Sequence, residues 1–187
     1  MSQLEHYYQL LRHWNKRINL TALQLEPLTD TAIDRLFVEP LRAAAHIPDS
    51  ELTCIDLGSG GGSPAIPLKI MRPLLKLTLV ESRSRKVSFL REVTRELALR
   101  DVVVICGRFE AIARNPELVG SGNIVTLRAV RLDSASAGAI RQLLSRGGEL
   151  FVFGGSTGLA QVPSGFRQRV SMDLVQDRAR LVILAAN

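Results

Sequence analysis

The stretch Ile55-Asp56-Leu57-Gly58-Ser59-Gly60-Gly61-Gly62 places a carboxylate and then a glycine-rich turn directly after a short apolar run, just before Pro64. Glycines there accept positive φ and let the backbone approach a bound molecule closely. Pro64 suits the first turn of a following helix, whose free N–H groups would face that molecule. The chemistry of such a loop is nucleotide binding. A second acid, Glu81, stands 19 residues after Gly62 and ends the next apolar run. A carboxylate so placed can accept hydrogen bonds from both hydroxyls of a ribose. Phe109-Glu110 and Arg128 follow two further apolar runs, so four chain segments offer polar groups at corresponding points of a repeating pattern.

Those points must be brought together by the elements between them. Apolar runs at Leu52–Leu57, Lys76–Val80, Val102–Cys106, Ile124–Leu127 and Glu149–Phe153 read as strands. Helical segments alternate with them near Pro64–Met71, at Ser84–Leu99, near Glu110 and at Ser134–Leu144. Such alternation predicts an α/β fold, a parallel sheet with helices on both faces, whose ligand lies outside the carboxyl ends of the strands. Phe166–Met172 and Ala179–Leu184 have no helix between them and predict an antiparallel C-terminal hairpin closing one edge. Ahead of the sheet, Leu4, Tyr7, Tyr8, Leu11, Trp14 and Ile18 recur at helical spacing from Ser2 to about Ile18, and a second helical stretch from Pro27 to His46 is expected to break at Pro40. The chain therefore divides into an N-terminal helical extension, residues 1–48, and one compact α/β domain, residues 49–187.

Two cofactor classes use a glycine turn followed by an acid. Nicotinamide dinucleotides continue the turn to a third glycine that permits close helix packing, but here that slot holds Ser63, and Asp56 carries negative charge toward the place of a pyrophosphate. S-adenosylmethionine has an adenosine for Glu81 and cationic centres for Asp56. It fits better, and the chain lacks the separate substrate domain that a dehydrogenase usually has.

The formal net charge of +6 suits a polyanionic partner, although 20 of the 24 basic residues are Arg, a bias that genome composition also produces. Cys54 and Cys106 fall in runs expected to be buried strands, where thiols pack without a redox or metal role, as in a reducing cytoplasm. His6, His13 and His46 lack acidic or cysteine partners at ligand spacing, so no metal site is expected. No apolar run approaches the length of a membrane span, and no basic-then-apolar leader opens the chain.

Taken in order, Trp14-Asn15-Lys16-Arg17-Ile18-Asn19-Leu20-Thr21, the Asp56–Pro67 loop, Val80-Glu81-Ser82 with Arg85-Lys86 and Phe89-Leu90, and Leu127-Arg128-Ala129 resemble the RsmG (GidB) family of small-subunit ribosomal RNA methyltransferases. The resemblance implies a class I, Rossmann-like methyltransferase sheet, S-adenosylmethionine as methyl donor and guanine-N7 of small-subunit ribosomal RNA as acceptor; a cytoplasmic monomer is expected. It also implies that Gly58, Ser63, Phe109, Glu110 and Arg128 contact the cofactor, joining Asp56, Gly60, Gly62 and Glu81. The chain departs from the family pattern at Leu36, Ser63, Ala65 and Gly154. Those departures leave open a methyltransferase fold with another substrate, or one that binds cofactor without turnover.

The remaining residues have two readings each. Asp56 either meets the cofactor or caps the turn. Arg128 either positions a phosphate, base edge or cofactor carboxylate, or pairs structurally with an acid such as Asp133. Arg83, Arg85 and Lys86, at the start of a predicted helix beside the cofactor end, are expected to meet RNA phosphates, with a solvated face as the alternative. Asn15, Asn19 and Thr21 are expected to fix the turn after the first helix, and Trp14 to pack in the core.

Overall fold

The computed structural model of the chain describes residues 1–129 and 132–187. Seven strands form one sheet in the order β3-β2-β1-β4-β5-β7-β6. They are β1 Thr53–Leu57, β2 Lys76–Glu81, β3 Val102–Cys106, β4 Gly122–Arg128, β5 Leu144–Gly155, β6 Phe166–Val175 and β7 Ala179–Ala186. The first five run parallel, while β7 lies antiparallel between β5 and β6. The strand order reverses between β1 and β4, so the crevice at the carboxyl ends of these two strands is the place where an open sheet takes its ligand.

Successive strand residues point to opposite faces, and the core divides accordingly. On one face Cys54, Leu77, Leu79, Phe151 and Ile183 pack beneath the N-terminal helices and two of the crossover helices. On the other, Ile55, Leu57, Val125, Val152 and Val182 pack with Ala137 and Ile140. The crossover helices are α4 Ala65–Met71, α5 Ser84–Glu96, α6 Phe109–Ile112 and α7 Ser134–Leu143. In α5, Val87, Phe89, Leu90 and Val93 are buried at helical spacing, each contributing about 1.5–3 kcal/mol of apolar burial.

The N-terminal helices are α1 Gln3–Asn15, α2 Asp30–Ile33 and α3 Glu39–Ala44. α1 stops at Asn15, short of Ile18, and buries Tyr7 and Leu11. Trp14 packs at 5.9 Å on Phe89 and donates to Glu92 at 2.9 Å, which ties α1 to α5. The expected break at Pro40 does not occur. A π-helical turn, Asp34–Val38, joins α2 to α3, with the Glu39 N–H donating to the Asp34 carbonyl. Proline has no N–H to give and its ring would strike the carbonyl four residues back; widening the preceding turn accommodates both.

Three further expectations change. Pro64 precedes α4 as its cap rather than opening it. The strands β4 to β7 run longer than the apolar runs that announce them, with β5 and β7 pairing along Glu149–Gly155. Cys54 is buried as expected, but Cys106 is exposed, since β3 is an edge strand and Cys106 ends it.

Candidate functional site

The glycine turn folds back over the end of β2. The Gly58 and Ser59 N–H groups donate to the Val80 carbonyl at 2.9 and 3.0 Å. Gly58, Gly60 and Gly62 all have positive φ, at 73°, 51° and 91°. Their roles differ. Gly58 and Gly60 line a cavity, whereas Gly62 is buried behind it, and a Cβ there would sit 2.8 Å from Ile66 Cγ1. Gly62 therefore lets the loop pass against α4 and is not among the residues lining the cavity.

Glu81 closes this loop from β2. One carboxylate oxygen accepts from the Gly60 N–H and the other from the Arg83 N–H, each at 2.9 Å. The residue is 7% exposed and its carboxylate is held in orientation, with further lone pairs left for other donors.

Asp56 and Thr126 are direct register partners on neighbouring parallel strands, so their side chains emerge side by side on one face. The Thr126 hydroxyl donates to Asp56 Oδ1 at 2.5 Å, and Asp56 Oδ2 has no hydrogen-bond partner although the residue is only 1% exposed. Burial pushes the Asp56 carboxyl above its usual range; hydrogen bonding from Thr126 and Ser59 and the Arg128 charge pull the other way. Asp56 and Ser59 of the turn line the same cavity.

Arg128, at the end of β4, makes no pair with Asp133. That acid caps α7, accepting from the Ser136 N–H. Arg128 instead reaches across to the N-terminal helices, donating to Glu39 Oε2 at 2.8 Å and to the Arg35 carbonyl at 2.6 Å. Its guanidinium lies 4.8 Å from the centre of the Phe153 ring, a cation–π contact. Burial lowers the Arg128 pKa to about 10 and raises that of Glu39, each opposed by the partner's charge. The arginine stays charged at neutral pH. Ser63 joins this knot by donating to the same Arg35 carbonyl at 3.0 Å.

Around these groups the surface is hollow. A cavity of about 400 Å³ is lined by Asp56, Gly58–Gly61, Ser63 and Arg128 on the sheet side and by Leu20–Leu23 on the other. A second, of about 250 Å³, lies beyond Gly58 and is lined by Val80, Ser82, Phe109 and Glu110. Glu81, which ends β2, is not among the residues lining either cavity. Of the residues expected from sequence, Asp56, Gly58, Gly60, Ser63 and Arg128 thus meet in one cavity and Phe109 and Glu110 in its neighbour. Arg83, Arg85 and Lys86 form a separate notch of about 550 Å³ together with Arg17, Ile18 and Asn19.

Several members escape sequence reasoning. Tyr7, wholly buried, donates its hydroxyl to the Gly61 carbonyl at 2.6 Å, and burial raises its pKa, keeping it a donor. Glu39 and Thr126 are equally internal. None carries a local motif: each is defined by a partner 54 to 89 positions away. Arg17 is read in the sequence within the Trp14–Thr21 segment and not among the phosphate-binding candidates. Among the described residues no group of His, Cys, Asp and Glu is arranged to hold a metal ion, and no helix is long and apolar enough to cross a membrane.

The sheet order, its antiparallel C-terminal hairpin and a loop crevice ending in an acid define the fold of the S-adenosylmethionine-dependent methyltransferases. In agreement, a SAM-dependent methyltransferase from Aquifex aeolicus superposes with a TM-score of 0.67 at 12% identity, covering 85% of this chain and 94% of that one. The family is narrower than the fold. Residues 1–179 match the GidB model, described as rRNA small subunit methyltransferase G, and the chain belongs to that family. It is 42% identical over 130 residues to the ribosomal RNA small subunit methyltransferase G of a Roseiflexus species, covering 70% of this chain and 54% of the relative. The corresponding protein of Leuconostoc mesenteroides is 34% identical over 169 residues, 87% of this chain and 68% of its own length. The chain thus spans about half the length of the Roseiflexus relative.

Proposed function

We propose that this chain transfers methyl from S-adenosylmethionine to guanine-N7 of small-subunit ribosomal RNA. The observation that carries the cofactor reading is Asp56, which lines the cavity of about 400 Å³ and whose buried Oδ2 has no hydrogen-bond partner. Burial disfavours the ionised form of a carboxyl so placed, so a cationic ligand would stabilise it and a pyrophosphate is disfavoured. Glu81, fixed by two backbone N–H groups, is oriented to receive ribose hydroxyls, with Phe109 and Glu110 beside the adenine. When bound, S-adenosylmethionine supplies an electrophilic methyl group on a sulfonium.

The chain's own contribution is then positional. Guanine-N7 has a free lone pair, so no proton has to be removed before attack and no general base is required. Gly58, Gly60 and Ser63 shape the floor, Arg128 is held rigid by Glu39 and Arg35, and Leu20–Leu23 shield the cavity from water. The acceptor's identity is inferred from the family and from the notch of Arg17, Arg83, Arg85 and Lys86, whose charges suit phosphates flanking a target base. The test is methylation of small ribosomal subunits from a strain lacking the family enzyme. Label is expected in guanine; folded, cofactor-binding protein that labels no RNA would refute the reading.

A further inference from the structure

The segment following α1 has two faces. Arg17, Ile18 and Asn19 line the basic notch, and Leu20, Thr21, Ala22 and Leu23 line the cavity that holds Asp56 and Arg128. One short turn is therefore a wall of both sites. Its shape is held largely by Asn15. The side-chain Oδ1 of that residue accepts from the Leu20 N–H at 2.9 Å and from the Thr21 N–H at 3.0 Å, while the Leu20 N–H also reaches the Ile18 carbonyl. Thr21 passes the constraint on, its hydroxyl accepting from the Leu23 N–H at 3.2 Å.

This turn also packs on the glycine loop. A Cβ on Gly61 would lie 3.2 Å from Leu11 Cδ1 and 3.6 Å from the Leu20 carbonyl, so loop and turn are in close contact there. Tyr7 fastens the Gly61 carbonyl from the same side. Displacing the turn would move a wall of the cavity and its contact with the loop together.

We infer that Asn15 is a positioning residue that fixes the Arg17–Leu23 turn as a shared wall, so that occupancy of the cofactor cavity and phosphate binding at the basic notch reinforce each other. The inference rests on the functional reading above for the nature of the second ligand. Coupling of this kind is reciprocal: the factor by which the first ligand tightens the second site equals the factor by which the second ligand tightens the first. Asn15 touches neither ligand and acts through the backbone it holds.

The experiment is calorimetry with S-adenosylhomocysteine on the wild type, Asn15→Ala and Asn15→Asp, each with its thermal midpoint measured, in the absence and presence of small ribosomal subunits. Asn15→Asp keeps both acceptor bonds and should stay within about twofold of wild-type affinity, whereas Asn15→Ala removes them and should bind about tenfold more weakly. A purely structural role would lower the midpoint of Asn15→Ala and leave the affinity of its folded form intact, and that result would overturn the inference. Subunits should tighten S-adenosylhomocysteine binding in the wild type and not in Asn15→Ala; equal tightening in both would also overturn it. Subunits that fail to bind the wild type would sink the RNA reading, while the affinities of the two variants still decide the role of Asn15. Should Asn15→Ala not fold, hydrogen exchange of the Leu20 and Thr21 amides in the wild type replaces it. Stronger protection on adding S-adenosylhomocysteine is expected, and unchanged protection refutes the shared wall.

Discussion

Replacing Asp56 with Asn should make the unliganded protein more stable and its cofactor binding weaker. The residue is 1% exposed, Oδ1 accepts from Thr126, and Oδ2 has no well-formed hydrogen bond. An unsatisfied buried oxygen on a charged group costs about 1–3 kcal/mol. Asn keeps the acceptor for Thr126 and removes the charge, so a gain of about 1–2 kcal/mol is expected. In a chain of this size that corresponds to roughly 2–8 °C in Tm. The sign depends on pH. Because burial raises the folded pKa of Asp56, wild-type stability falls as pH rises from the ordinary aspartate value through the folded one. The advantage of the Asn variant should appear above that window and shrink below about pH 4. Binding should move oppositely: removing a charge-assisted bond to a cationic ligand costs about 1.5–3 kcal/mol, or roughly 10- to 100-fold in Kd. Thermal melts across pH and calorimetry with S-adenosylmethionine measure both. An Asn variant with unchanged affinity, or one destabilised at neutral pH, would refute the assignment of the free oxygen to a cationic ligand.

Other consequences follow from the same geometry. Glu39→Ala leaves Arg128 buried without its carboxylate and should cost about 3–5 kcal/mol in urea denaturation, with Glu39→Gln milder because it keeps an acceptor. Gly62→Ala should destabilise by about 1–3 kcal/mol, since its Cβ would meet Ile66 at 2.8 Å on a backbone with φ of 91°. Gly60→Ala, with its nearest neighbour at 3.7 Å, should incur only the left-handed penalty of about 1–2 kcal/mol, and comparing the two melts checks the difference. Replacing Arg17, Arg83, Arg85 and Lys86 by Ala should flatten the salt dependence of RNA binding by roughly 0.7 in the log–log slope for each phosphate no longer neutralised. Anisotropy titrations at several salt concentrations would read that slope, and an unchanged slope would return these residues to a solvated face.

The parts of the site that are legible in the sequence are those built locally. Gly58 and Gly60 are read from a turn between an apolar run and a proline, and Glu81 from its place at the end of the next strand, one crossover away. Burial on the sheet is legible by its alternation, but which strand lies at an edge is not. The run Val102–Cys106 is apolar throughout, yet β3 is at the sheet's edge and Cys106 is exposed. Pro40 reads as a break because a proline's local effect is clear, whereas a π turn that absorbs it depends on how α2 and α3 pack. The Arg128–Glu39 pair spans 89 positions and the Tyr7–Gly61 bond 54. Such partners are chosen by the folded topology, and neither residue's neighbours announce them.

The functional reading turns most directly on the charge of the ligand that the Asp56 cavity accepts. Calorimetric titration of the purified chain with S-adenosylmethionine, and in parallel with NAD, measures it. Saturable one-to-one binding of S-adenosylmethionine and no heat with NAD is the predicted result. Binding of NAD, or folded protein that fails to bind S-adenosylmethionine, would contradict it.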